Sequence, residues 1–116
     1  MKKLIIVAAL LCLVSLFMSG CDTSFSSVVE YKITGTASKV DVTLINATGG
    51  TEQYSDVSVP HTYTFNNYTH WFLYISAQNQ GESGSVTVTI YVDGENVKTS
   101  TSNGAYVIAS ASWNRE

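Results

Sequence analysis

From residue 28 to the end of the chain, apolar side chains recur at every second position or in short β-branched runs, broken by turn-forming residues about every ten positions. That is the period of an extended strand, whose side chains alternate between two faces. Over 28–34, Val29, Tyr31 and Ile33 share one face and Glu30 and Lys32 the other, and Gly35 ends the run. Over 38–46, Val40, Val42 and Leu44 alternate with Lys39, Asp41 and Thr43, before a turn rich in glycine at 46–50. A weaker strand at 51–57 has Tyr54 as its one large side chain, and Val59-Pro60 suits a strand edge because proline donates nothing to a ladder. Residues 61–66 alternate Tyr63 and Phe65 with Thr62 and Thr64.

The stretch 71–79 carries large groups on both faces, Trp71, Leu73, Ile75 and Ala77 against Phe72, Tyr74, Ser76 and Gln78. This predicts a central strand with the Trp71 face toward the core. The cleanest alternation is Val86, Val88, Ile90 and Val92 against Thr87, Thr89 and Tyr91, and Asp93-Gly94 follows at once. An Asp-Gly pair between two strand patterns signals a hairpin whose turn needs positive φ at both central positions. A short edge-like strand at 95–100 and a last strand at 105–113, with Tyr106 and Ile108 alternating against Val107 and Ala109, complete the pattern. Seven or eight short antiparallel strands, without helical periodicity or repeats, predict an all-β fold: an immunoglobulin-like β-sandwich, with a partly open β-barrel as second choice.

What precedes residue 28 follows another pattern. Met1-Lys2-Lys3 is basic, and 4–17 is an apolar run of 14 residues, shorter than the roughly 20 needed to span a bilayer as a helix. The run closes on Met18-Ser19-Gly20-Cys21, which resembles the lipobox of bacterial lipoproteins, with Met18 in place of the more usual leucine. In such proteins the cysteine thiol takes a diacylglyceryl group, cleavage frees its α-amine for further acylation, and two or more chains hold the protein stably on a membrane. The expected organisation is a signal peptide at 1–20, a lipidated Cys21 with a short polar tether through 27, and a β-sandwich domain at 28–116. An ordinary secretory signal and an uncleaved anchor are the alternatives. The lipoprotein reading places the domain in the cell envelope, on the extracytoplasmic side and close to the membrane that holds it.

Composition narrows the chemistry. After residue 20, four basic side chains face nine acidic ones, a balance of −5 spread along the chain. Nucleic acid, which calls for clustered Lys and Arg, is not an expected partner. Cys12 and Cys21 are the only cysteines, so the domain has no internal disulfide and no cysteine-based zinc site. His61 and His70 lack a third ligand pattern, and no serine stands in a nucleophile elbow. The reading is non-enzymatic, without cofactor or metal. Candidate binding chemistry lies in the crowded aromatic stretch, where Phe72, Tyr74 and Tyr68 are the expected members of an exposed patch suited to a glycan or an apolar ligand.

One family resemblance spans nearly the whole domain. It is carried by Gly84-Ser85-Val86-Thr87-Val88-Thr89-Ile90-Tyr91-Val92-Asp93-Gly94-Glu95 and by Thr101-Ser102-Asn103-Gly104-Ala105-Tyr106. Val29-Glu30-Tyr31-Lys32-Ile33-Thr34-Gly35, Val40 to Leu44, Val59-Pro60 and Ser76-Ala77-Gln78 follow the same order. These stretches resemble the small mycobacterial membrane protein (MmpS) family. The resemblance implies an envelope β-sandwich that serves a lipid-exporting transporter of the resistance-nodulation-division class. Two departures stand out: the family's cysteine pair is missing at Val88 and 109–112, and a lipidated Cys21 takes the place of its membrane helix. The expected function is therefore a non-enzymatic envelope lipoprotein that binds another envelope component, such as that transporter; the alternative is a glycan- or lipid-binding module using the aromatic patch.

Overall fold

Strands that are apolar on one face only must bury that face against another sheet. The structure, a computed structural model, describes residues 26–115 and shows this arrangement. The strands are β1 (Ser27–Thr34), β2 (Lys39–Ile45), β3 (Thr51–Ser58), β4 (His61–Tyr68), β5 (Phe72–Asn79), β6 (Ser85–Val92), β7 (Glu95–Asn103) and β8 (Ile108–Asn114). One sheet has the order β4-β1-β6-β7 and the other β3-β2-β5-β8, with every pairing antiparallel. The domain is a β-sandwich; its sheets keep free edges and do not close into a barrel. It is immunoglobulin-like in architecture, two antiparallel sheets face to face, while its strand order differs from the ABED and CFG order of constant-type immunoglobulin domains. The expected signal peptide at 1–20, Cys21 and residues up to 25 lie outside the described residues, and Ser27 already belongs to β1. Among the described residues no helix is long and apolar enough to cross a membrane.

The apolar faces meet as the alternation requires. Val29, Tyr31 and Ile33 from β1, Val40, Val42 and Leu44 from β2, Leu73, Ile75 and Ala77 from β5, and Val86, Val88 and Ile90 from β6 are all buried. Burying one Val, Leu or Ile side chain is worth about 1.5–3 kcal/mol, and in a domain without disulfides this packing is the main support. β5 is central, between β2 and β8. The Asp93-Gly94 turn has φ of 51° and 86°, the positive values that a type I′ hairpin needs. Asp93 also accepts from the Val28 amide at 2.9 Å and donates its own N–H to Val28 C=O at 2.8 Å, which ties the start of β1 to this hairpin.

Two boundaries differ from the sequence pattern. β7 runs to Asn103 rather than 100, because the ladder with β6 continues through the Thr87–Thr101 pair, whose hydroxyls lie 2.8 Å apart. β8 starts at Ile108 rather than 105: positive φ at Gly104 (123°) and Tyr106 (57°) turns the chain, and Val107 instead accepts from the Asn79 amide at 2.9 Å. At Gly35 the chain passes too close to the start of β6 for a side chain. With φ of 129°, an added Cβ would stand 2.2 Å from Ser85 O.

The connections gather at two ends. The far end holds the β1–β2, β3–β4, β5–β6 and β7–β8 connections; the near end holds the start of β1 and the β2–β3, β4–β5 and β6–β7 connections. Asn79, only 1% exposed, organises the far end. Its amide group donates to Ser83 O and Gly104 O, both at 2.9 Å, while its Oδ1 accepts from Gly81 N at 2.9 Å.

Candidate functional site

Because Leu73, Ile75 and Ala77 point into the sandwich, Phe72, Tyr74, Ser76 and Gln78 point outward from the middle of the β3-β2-β5-β8 sheet. The rings of Phe72 and Tyr74 lie nearly parallel, 14° apart with centroids at 6.4 Å, and both are half-buried. Their cross-strand neighbours on β8 are small or polar, Asn114 opposite Phe72, Ser112 opposite Tyr74 and Ser110 opposite Ser76. On the other side Thr43 faces Ser76 and Asp41 faces Gln78. The strip thus begins with two rings near one end of the sandwich and continues as hydroxyl, amide and carboxylate groups toward the other, where the exposed Ile108 stands opposite Gln78. Gln78 is fixed by its Nε2 donating to Tyr106 O at 3.0 Å.

Of the three expected patch residues, Phe72 and Tyr74 come together on this face and Tyr68 does not. Tyr68 is fully buried. The reason is a bulge: Val29 pairs with Phe65 but Ser27 with Tyr68, so β4 spends three residues where β1 spends two. One extra residue reverses the face, sending Tyr68 inward where strict alternation sends it out. Inside, its hydroxyl stands 3.0 Å from Tyr31 OH, Ile45 O and Phe72 O, and the Tyr74 amide donates to Tyr31 OH at 3.3 Å. Burial pushes the Tyr31 and Tyr68 hydroxyls above the usual tyrosine range, so both stay neutral donors under the aromatic strip.

Trp71 departs in the opposite direction. Strict alternation groups it with Leu73, Ile75 and Ala77 in the core, yet it is 60% exposed. β5 begins only at Phe72, and Tyr68 already fills the interior at this end, so the period-two rule does not extend to Trp71. The Trp71 ring instead continues the aromatic run, 5.5 Å from Phe72 and 5.6 Å from His70. Its carbonyl accepts from Arg115 N at 2.8 Å, and Arg115 Nη2 donates to Tyr68 O at 3.0 Å.

A second aromatic group, which sequence reasoning did not connect, closes the sandwich between the β3 and β4 edges. Tyr54 stacks on Tyr63 at 5.0 Å, His61 meets Tyr63 edge-on at 4.4 Å, and Tyr54 OH donates to Glu52, whose other oxygen accepts from Asn46 Nδ2 at 2.9 Å. These strands belong to different sheets, so no local pattern reveals the contact. The hydrogen bond to Glu52 raises the Tyr54 hydroxyl; burial, with Tyr54 and Glu52 nearby, pushes Tyr63 up to about 12. Inward-pointing charge on an edge strand discourages pairing with another chain, and Glu52 fits that role. His61 and His70 sit toward opposite ends of β4, and among the described residues no three His, Cys, Asp or Glu side chains gather as metal ligands do.

No family model and no curated protein matches the chain. Among solved structures, it is similar to the calcium-bound form of a protein from Parabacteroides distasonis, with 15% identity, a TM-score of 0.57, and coverage of 78% of this chain and 95% of that one. It is also similar to vCBM60, a calcium-dependent carbohydrate-binding module, with 19% identity, a TM-score of 0.42, and coverage of 61% of this chain and 60% of that one. At these identities, the likeness to the Parabacteroides protein is one of fold.

Proposed function

We propose that the protein is a saccharide-binding module of the cell envelope, and that the strip from Phe72 and Tyr74 along β5 is its binding surface. The observation that carries this reading is the near-parallel ring pair at the head of a sheet face that continues with serine, threonine and amide side chains, with Ile108 beside Gln78 at its far end. A sugar ring has apolar C–H faces and a rim of hydroxyls. An aromatic face covers the first and Ser, Thr, Gln and Asp side chains pair with the second. A lipid tail would call for continued apolar surface beyond Tyr74, where Ser76 stands between Thr43 and Ser110, ahead of Gln78 and Ile108. The small serines opposite Tyr74 and Ser76 leave room for a ligand to lie along the strand.

The test is binding to a panel of soluble polysaccharides and oligosaccharides, followed by titration calorimetry. Tyr74→Ala and Phe72→Ala are each expected to weaken binding about tenfold, or ~1.4 kcal/mol, with the circular dichroism spectrum retained. A panel without a ligand, or a Tyr74→Ala protein that binds as the parent does, contradicts the proposal.

A second reading is the envelope-partner role, including the transporter that the MmpS resemblance implies. Its specific support is the exposure of Tyr106 (53%) and Ile108 (55%) at the far end, opposite the start of β1. Crosslinking from native membranes tests it, and loss of a captured partner on Ile108→Ser is the expected result.

A further inference from the structure

Among the described residues Trp71 is the most exposed of the large apolar side chains, yet its backbone is firmly held. Thr69 N and His70 N both donate to Ala47 O at 3.2 Å, and Arg115 N donates to Trp71 O at 2.8 Å. A fixed loop that presents an indole to solvent gives up burial energy that a tryptophan of this size would otherwise supply.

The place of that loop is informative. Ser27, at the start of β1, pairs with Tyr68, and Ser26 Oγ donates to Asn67 Oδ1 at 3.3 Å, so the chain enters the domain beside the loop that carries Trp71. Val28, 39% exposed, lies at the same end. Cys21 is five residues before Ser26, and five residues span at most about 18 Å when fully extended. Lipid on Cys21 therefore holds the near end, and not the end bearing Tyr106, at the headgroups. An indole, apolar in body with one N–H donor, favours that interfacial depth. The ionisable groups around the near end include Glu52, Asp93, Glu95, His70 and Arg115, together with Glu30 on the outer face of β1. They form no cationic patch, so attraction to anionic headgroups does not supply the contact.

We infer that the Trp71 end of the sandwich rests on the bilayer that holds Cys21, with the Trp71 indole at headgroup level. The inference rests on lipidation of Cys21 and adds an orientation to it. The Phe72–Tyr74 strip then starts at the membrane surface and runs away from it along β5.

The full chain, expressed with its export segment and carrying Trp113→Phe so that Trp71 is its one tryptophan, is reconstituted in phosphatidylcholine vesicles. Mass spectrometry establishes the state of Cys21, and circular dichroism checks the fold; Trp113→Tyr replaces Trp113→Phe if the latter is not tolerated. Trp71 emission is expected to shift to the blue, to be quenched by lipids brominated near the headgroup, and to lose quenching by iodide, at low and high salt alike. A Tyr106→Trp reporter in a Trp71→Phe, Trp113→Phe background is expected to stay open to iodide. Lipidated protein whose Trp71 remains fully quenched by iodide overturns the docking while leaving the anchor intact. An unmodified Cys21 overturns the premise, and the docking with it.

Discussion

Replacing Asn79 by alanine removes three hydrogen bonds of 2.9 Å from a side chain that is 1% exposed, and frees Ser83 O, Gly104 O and Gly81 N at the far end. At about 1 kcal/mol net per bond the loss is about 3 kcal/mol. Ser83 is exposed and Gly81 and Gly104 are partly so, which lets water reach the freed groups and keeps the larger penalty for buried unpaired atoms out of the sum. In a domain of this size that corresponds to a fall in Tm of roughly 12–24 °C. Urea unfolding followed by tryptophan emission measures it, with an unchanged m showing that the folded and unfolded ensembles are otherwise alike. Asn79→Asp sharpens the test. A carboxylate keeps the acceptor for Gly81 N but sets a second oxygen against two carbonyls, which raises its folded pKa above the unfolded value near 3.9. Protonation restores one donor. The difference in stability from the parent is therefore largest at neutral pH and shrinks as pH falls through the raised pKa. An alanine variant within about 0.5 kcal/mol of the parent, the range of an ordinary surface substitution, would refute this role for Asn79, as would an aspartate variant whose deficit ignores pH.

Other consequences are open to simpler assays. Gly35→Ala sets a Cβ against Ser85 O and should cost about 3 kcal/mol or more in thermal unfolding; Gly94→Ala, with nothing within 4 Å, should cost only about 1–2 kcal/mol from its positive φ. Tyr68→Phe keeps the ring but removes the hydroxyl beneath the strip, and about 1–2 kcal/mol of stability should go with it in urea unfolding. Tyr63, Tyr31 and Tyr68 all have folded pKa values raised above the ordinary value of 10, Tyr63 to about 12. Unfolded tyrosines therefore ionise first, and stability should hold below about pH 10 and fall between about pH 10 and about 12. Stability that stays level across that range in denaturant titrations would contradict the burial of these hydroxyls.

The sandwich was legible because its apolar residues sit on single faces: Val29, Tyr31 and Ile33, or Val86, Val88 and Ile90, can be buried together only in extended chain. Asp93-Gly94 announced its hairpin for an equally local reason. The errors fall where a backbone irregularity breaks the count. The bulge opposite Ser27–Val29 turned Tyr68 inward, and the bend before β5 put Trp71 outside, so the two aromatic assignments nearest the site were exchanged. Phe72 and Tyr74 lie inside a regular strand, where the period of two reads their outer face directly. Asn79 gave no sign of its role, since its three partners lie in two loops that only the folded chain brings together.

Two-dimensional NMR of the domain titrated with an oligosaccharide selected from the binding panel tests the proposed function most directly. Shifts concentrated on the amides of Phe72, Tyr74, Ser76, Ser110 and Ser112, with the opposite sheet unaffected, are expected of a ligand lying along β5. Shifts centred instead on the Tyr54–Tyr63 edge or on the Tyr106 end, with Phe72 and Tyr74 unmoved, would contradict it.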